Sequence, residues 1–382
     1  MFNVYFSLIF FYFATQNDAD ISPSTITSKS NILESLYYLL PSNYDSCQRK
    51  MLQRYDYMKT NNHKYYIMIN LHNNDRVISH IAFQLTKVFQ EFWGYNNVFV
   101  SIYESGSRDY SKTELNIWSD FLDSVGVNHR FETGPLSKNS ASMNRIDFLT
   151  NIRNKALMPF KMSKIEYDHT IFINDIYFCS DDILELVHQR NKQQADMVSG
   201  MDFDIKEGKL GFYDNWVFRD INGVRPNKFV DNLIQHKPSQ SKLLKNEPIQ
   251  VFCLWNGMTV INPNVFDNII FRRGNNRYRG IRDPGECSAS EITTLCLDMI
   301  KQGFDKIVMI PDVHVAYKYP DFQRIKLGKD PFALKFPPLK IRDSDTQITY
   351  EKLSKQFLCE PYFDKWRQNG PDFREQYYEQ VN

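Results

Sequence analysis

From about residue 61, apolar runs of strand length alternate with longer segments whose apolar residues recur at helical spacing. No other feature constrains the chain as strongly, because this alternation is the signature of a βαβ-type α/β domain. Residues 65–73 (YYIMINLHN) read as the first strand, 78–92 as an amphipathic helix and 97–103 as the second strand. Ser111 and Glu114 have capping-box spacing, Leu115, Trp118, Leu122 and Val125 share one helical face, and Gly126 stands where a glycine ends a helix. A helix over 144–157 is expected to stop before Pro159. The run 169–178 (HTIFINDIYF) starts as a buried strand with Asn174-Asp175 at its C-terminal end, and Ser180-Asp181-Asp182 opens the next helix. Downstream come a strand at 195–204, a loop at 208–224, and a strand at 251–261 interrupted by Asn256-Gly257. A second capping box, Ser288 with Glu291, opens a helix over 292–302 that Gly303 ends, and a last strand lies near 306–309.

Outside this unit, residues 2–15 (FNVYFSLIFFYFAT) carry no charge and precede a polar stretch, as in a signal-peptide core or short signal anchor. This run is shorter than the roughly 20 apolar residues that an ordinary spanning helix needs. Residues 16–60 read as a stem, 61–320 as one catalytic domain and 321–382 as a wrap-around tail. The net charge of +1 argues against nucleic acid as the main partner. None of the six cysteines has CxxC or zinc-ligand spacing, so an oxidising lumen is expected to close one or two pairs, Cys253 with Cys287 first.

Ligands of open α/β sheets gather at the C-terminal ends of strands, which directs attention to Asp175, Asp202 and the segment FYDNWVFRD. Asp175 follows a buried strand and suits a cation–diphosphate ligand, although Ile173-Asn174-Asp175 lacks one acid of an Asp-x-Asp signature. A literal Asp-x-Asp at Asp202-Phe203-Asp204 is a weak signal by itself; Asp202, ending a strand, is its better half. Asp214, Trp216, Arg219 and Asp220 combine carboxylates, a guanidinium and an indole within seven residues, which suits a sugar pocket or, equally, a salt-bridged surface loop. Arg153-Asn154, on the preceding helix, is either a phosphate or ribose contact or a solvated helix face. Glu291 is explained by its capping box alone, and His314 is either a further metal ligand or a structural strand histidine. No P-loop, dinucleotide fingerprint, G-x-S-x-G or H-E-x-x-H occurs. The missing glycine-rich loop after the first strand also disfavours a sugar nucleotidyltransferase.

Eight motifs in order complete the reading: ESGSRD at 104–109, VGVNH at 125–129, IRNKAL at 152–157, FINDIYF at 172–178, ADMVSGMDF at 195–203, FYDNWVFRDING at 212–223, WNGM at 255–258 and SEITTLCLD at 290–298. Over roughly residues 65–320 the chain resembles glycosyltransferase family 69, the fungal α-1,3-mannosyltransferases that include capsule-associated proteins. The resemblance implies a GT-A type, Rossmann-like nucleotide-sugar-binding fold, a GDP-mannose donor, Mn²⁺ or a similar cation, and a mannose-containing glycan acceptor. It further implies transfer with retention and a type II topology in the Golgi or secretory pathway. Asp175 then serves the metal and diphosphate with His314 as a second candidate metal ligand, Arg153 the donor phosphate, and Asp202 or Asp214 the sugar hydroxyls. Asn154, Asn174, Trp216, Arg219 and Asn256 complete the donor-binding set. An inverting enzyme would instead need Asp214, Asp220 or Glu291 as base. The rival expectation is a non-catalytic lumenal member assisting polysaccharide assembly or export.

Overall fold

The computed structural model describes residues 47, 53–134, 145–206, 209–227, 229, 232–274, 286–287, 289–326, 346–360 and 377–381. The apolar N-terminal run, most of the stem and much of the tail lie outside them. Among the described residues no helix is long and apolar enough to cross a membrane.

The expected α/β class is observed. Strands β1 (Tyr65–Leu71), β2 (Val98–Ser105), β3 (Asn128–Gly134) and β4 (His169–Ile173) are joined by helices α1 (Asp75–Val88), α2 (Ser111–Val125) and α3 (Arg145–Met162). Helix α4 (Ser180–Gln193) leads to β5 (Met197–Lys206), which turns back into β6 (Lys209–Phe212). Then follow β7 (Arg219–Asp220), α5 (Lys237–Leu244), β8 (Ile249–Cys253), β9 (Met258–Ile261), α6 (Val265–Asn268), α7 (Glu291–Lys301), β10 (Ile307–Ala316) and α8 (Tyr319–Lys326). The sheet runs β3-β2-β1-β4-β9-β5-β10-β8-β7, with β6 paired to β5. β1, β2, β3 and β4 pair in parallel, as do β5 and β10, whereas β9 is antiparallel to both β4 and β5. β6 is antiparallel to β5, and β8 to both β10 and β7, so β9 is the reversed strand that separates the parallel strands β4 and β5. A separate ribbon pairs β11 (Gln356–Cys359) with β12 (Tyr377–Gln380).

The central strands are apolar on both faces because helices cover both, and β4, β8 and β9 are buried throughout. Several local expectations change on this scaffold. The 251–261 strand is two strands, β8 and β9, that pair with different neighbours, because Asn256 (φ 45°) and Gly257 (φ 79°) turn the chain between them. The last strand extends to Ala316, so His314 lies within it. Helix α3 runs through Pro159 to Met162. The adjacent gap in its hydrogen bonding is bridged by the buried Tyr66 hydroxyl, which donates to the Ala156 carbonyl (2.9 Å) and accepts from the Phe160 N–H (3.0 Å).

The Ser111–Glu114 capping box does not form, and Ser288 of the second expected box lies outside the described residues. The Ser111 hydroxyl accepts from the Asn74 N–H and Glu114 from the Ser79 hydroxyl, both tying α2 to α1. Ser290 caps α7, accepting from Ile292 and Thr293, which leaves Glu291 on the first turn with other work.

Residues 53–59, counted with the stem, place Tyr55 and Met58 in the core. All six cysteines are paired, as Cys47–Cys179, Cys253–Cys296 and Cys287–Cys359, with Cα separations of 5.5, 5.6 and 5.9 Å. The expected Cys253–Cys287 pair is therefore corrected: Cys253, at the end of β8, faces α7, and Cys287 faces the tail. Peptide mapping of non-reduced protein should recover these three linkages and no free thiol, and reduction should lower stability by about 2–5 kcal/mol per bond in denaturant titration.

Candidate active site

Because β9 reverses direction, the turn Trp255-Asn256-Gly257 reaches the same sheet edge as the C-terminal ends of β4, β5 and β10. Asn174 and Asp175 follow β4 and Tyr317 follows β10, whereas Asp202, expected to end its strand, lies inside β5, which runs on to Lys206 because it pairs with β6. The turn is latched from both sides. The Ser199 hydroxyl lies 2.6 Å from the carbonyls of both Trp255 and Met258, Asn256 Nδ2 donates to the Gly200 carbonyl (2.8 Å), and the Asn174 N–H donates to the Gly257 carbonyl (2.8 Å).

Arg153, reaching in from α3, is walled by aromatic rings: its guanidinium carbon lies 4.7 Å from the centroids of Phe172 and Trp255 and 5.8 Å from that of Phe271. Its Nε donates to Glu291 Oε1 at 2.9 Å, both side chains being buried. Glu291 Oε2 is buried and has no hydrogen-bond partner among the described residues. Asn174 accepts from the Trp255 indole N–H (3.2 Å) and donates to the Tyr317 hydroxyl (2.9 Å), joining three strand ends.

Asp202 is fully buried. Its Oδ1 accepts from the Asp214 N–H (3.1 Å), while Oδ2 has no partner among the described residues. Burial, and then the neighbouring charge of Asp214, push its carboxyl well above the usual range. Asp214 is pushed up to about 6 by desolvation and by Glu291, against the pull of Arg153 and Arg219. Tyr213 and Tyr317 pack ring on ring at 4.4 Å. Both phenols are raised by burial first and then by the charges of Asp202, Asp175 and Asp214. Asp175 is half-buried at the rim, its Oδ2 accepting from Asn74 Nδ2 (3.0 Å).

The structure thus gathers Arg153, Asn174, Asp175, Asp202, Asp214 and Glu291. The remaining candidates have structural employment. Asp220 accepts from the backbone N–H groups of Asn222 and Val224 through Oδ1 and from that of His236 through Oδ2. Arg219 spends its donors on the carbonyls of Leu358, Trp216 and Phe218 and on Glu360, so it is not presented to a donor. Trp216 donates its indole N–H to the Glu360 carbonyl, away from the carboxylates. Asn154 exchanges two hydrogen bonds with the backbone of Phe271, which fixes one wall of the Arg153 box. Asn256 is fully buried beneath the turn. The His314 ring packs edge-on against Phe203, and pairs in register with Met201, one residue out of phase with Asp202; alternation along the strand turns it to the other face.

Trp255, Tyr213, Tyr317 and Asn74 were not anticipated. Trp255 stood inside the WNGM motif, whereas nothing in the sequence marks Tyr317, which the sheet alone brings beside Asn174.

No group of three His, Cys, Asp or Glu side chains close enough to hold a metal occurs among the described residues. Asp175 nonetheless suits a hard cation of the magnesium or manganese type, which takes one or two carboxylates and completes its shell with phosphate oxygens and water.

Residues 64–298 match the family described as Cryptococcal mannosyltransferase 1. The chain belongs to that family. It is similar to the α-1,3-mannosyltransferase CMT1 of Cryptococcus neoformans var. neoformans serotype D, with 33% identity over 241 residues, 57% of this chain and 50% of that protein. The chain therefore spans about half the length of this curated relative. Among solved structures it is similar to the mannosyltransferase PcManGT of Pyrobaculum calidifontis in complex with GDP-Man and Mn²⁺ (TM-score 0.41, 9% identity, 79% of this chain and 68% of that one). It is also similar to GalNAc-T7 with UDP, GalNAc and Mn²⁺ (TM-score 0.43, 11% identity, 67% and 43%).

A carboxyl whose folded value lies above its unfolded one holds its proton more tightly when folded. Its cost to stability is therefore absent below the unfolded value near 4 and grows as the pH rises through about 6. Asp214→Asn should accordingly gain about 1–2 kcal/mol in denaturant titration near neutral pH and nothing near pH 4. Asp220→Ala, which strands three backbone donors, should instead lose about 2–4 kcal/mol in the same titration at either pH.

Proposed function

We propose that this protein is a retaining α-1,3-mannosyltransferase that moves mannose from GDP-mannose to a mannose-containing glycan. The observation that carries this reading is the convergence of Asp175, Asp202, Asp214 and Glu291 on the strand ends, with Arg153 buried among them. Family membership supports the mannosyl donor. A divalent cation bound at Asp175 would neutralise diphosphate charge as the leaving group departs. The protein's own contribution is electrostatic. Glu291, aimed by Arg153, whose guanidinium is backed by Trp255 and Phe172, and Asp214, held on the turn after β6, present negative charge to a sugar developing oxocarbenium character. The unpartnered Oδ2 of Asp202 offers an acceptor for a sugar hydroxyl in a place where water is excluded. With retention, the leaving diphosphate takes the acceptor proton on the same face, so none of these carboxylates acts as a base. Asn174 and Asp175 supply the rim on which the donor is oriented.

The rest of the proposal concerns setting. Three disulfides support passage through an oxidising compartment, and a Golgi membrane or secretory-lumen location with attachment through the N-terminal segment follows from that and from residues 2–15. The buried unpartnered carboxylate oxygens favour catalysis over a purely structural role in polysaccharide export, since each costs stability that a scaffold has no reason to forgo.

Purified protein incubated with GDP-mannose and Mn²⁺ should release GDP. Release should fall to background with EDTA, be weaker with GDP-glucose or UDP-galactose, and drop more than about 100-fold in Asp175→Asn. Turnover should also decline as the pH falls through about 6, where Asp214 takes up its proton. Absence of both GDP release and calorimetric binding of GDP-mannose would overturn the donor assignment.

A further inference from the structure

The family match ends at residue 298, yet the carboxylate cluster is fastened from beyond it. The segment 356–360 is where this happens. Glu360 is buried and joins two arginines: Oε2 accepts from Arg219 at 3.1 Å and Oε1 from Arg225 at 2.7 Å. Arg219, fully buried, also donates Nε to the Leu358 carbonyl (2.7 Å) and Nη1 to the carbonyls of Trp216 (2.8 Å) and Phe218 (2.7 Å). Trp216 returns a hydrogen bond from its indole to the Glu360 carbonyl (3.2 Å), and Arg225 donates to Asn215 Oδ1 (2.8 Å). These residues form the turn that begins at Asp214, whose carbonyl accepts from the Phe218 N–H (3.3 Å).

The contact is close by design of the backbone. Gly223 sits at φ 74°, where a Cβ would lie 2.3 Å from the Gln356 carbonyl oxygen, and its own carbonyl accepts from the Leu358 N–H. Next to Glu360, Cys359 is bonded to Cys287, four residues before Glu291. One short segment therefore grips both the Asp214 turn and the approach to α7.

We propose that Glu360 is a positioning residue of the transfer site, acting through Arg219 on the turn that carries Asp214 and setting the charge that this carboxylate faces. The proposal rests on the transferase reading above. The charges that act on Asp214 are those of Glu291 and Arg153 from α7 and α3, Asp202 from β5 and Arg219 from β7, with the phenols of Tyr213 and Tyr317 in the same field. Arg219 in turn faces Glu360 and Arg225. A buried guanidinium lowers the affinity of a nearby carboxyl for its proton, and a carboxylate bound to that guanidinium offsets the effect. Glu360 is the offsetting charge. A residue that only fastened the tail would affect stability and leave the charge at Asp214 untouched.

The test uses the full chain with carboxyl-labelled aspartate, the Asp214 signal being assigned by its loss in Asp214→Asn. Glu360→Gln keeps an oxygen for Arg219 and the backbone carbonyl for Trp216 while deleting the charge. With the three backbone carbonyls still holding Arg219 in place, the Asp214 midpoint should fall by roughly half a pH unit or more. The acidic limb of the kcat profile should move with it, and donor KM should change little. Arg225→Gln, at a side chain 38% exposed and hence safe for folding, frees the charge of Glu360 and should move the midpoint upward. Midpoints unmoved in both variants, with only the melting temperature lowered, would overturn the proposal. Absence of turnover in the unmodified protein counts against the transferase reading, whereas the two midpoints decide the role of Glu360 in either case.

Discussion

Everything at the candidate site depends on one reversed strand. Had β4 and β5 been neighbours, Asp175 and Asp202 would stand one strand spacing apart. With β9 between them the separation is two spacings, about 10 Å, and the entry to β9 occupies the gap. That entry is the Trp255-Asn256-Gly257 turn, whose left-handed backbone at two consecutive residues lets the chain arrive at the strand-end edge and immediately reverse. Ser199, Gly200 and Asn174 then spend hydrogen bonds on holding it. The indole of Trp255 is thereby fixed as a wall, and the site has a floor.

On that floor the electrostatics are costly to folding. Burying Arg153 with Glu291 removes two charges from water, and such pairs return their desolvation cost only when geometry and further contacts are good. Here three aromatic faces supply part of the return. The carboxyls of Asp202 and Asp214 receive less compensation and are driven toward their protonated forms. A concentration of perturbed acids at the C-terminal edge of a parallel sheet marks a functional site more strongly than any single residue does. Stability withdrawn there is restored elsewhere, through a large apolar core and three disulfides that tie residues 47 and 359 to the central unit.

Much of the scaffold was legible along the chain, for identifiable reasons. Apolar runs such as HTIFI report burial on both faces, and Gly126, at φ 75°, ends its helix where a glycine was expected. Local signals misled where a tertiary partner outbid them. Ser111, Glu114 and Glu291 all had capping-box spacing, yet each found a partner on another element: Asn74, Ser79 and Arg153. Pro159 should have ended α3, and the Tyr66 hydroxyl from β1 carries the helix past it. The dense FYDNWVFRD segment divides for the same reason. Asp214 points into the carboxylate cluster, while Trp216, Arg219 and Asp220 are consumed by the tail and by a backbone turn.

The sequence by itself determined the α/β class, the order of the main strands and helices, the family to which residues 64–298 belong, and the strand-end placement of Asn174 and Asp175. These follow from periodicity and from motif order, which are properties of neighbours in the chain. Only the tertiary structure decided that β9 runs backwards, that Glu291 pairs with Arg153 from 138 residues away, that Tyr317 joins the site, and that the cysteines pair as they do. Those outcomes depend on which distant surfaces meet when the sheet closes its core, and sequence separation carries no record of that.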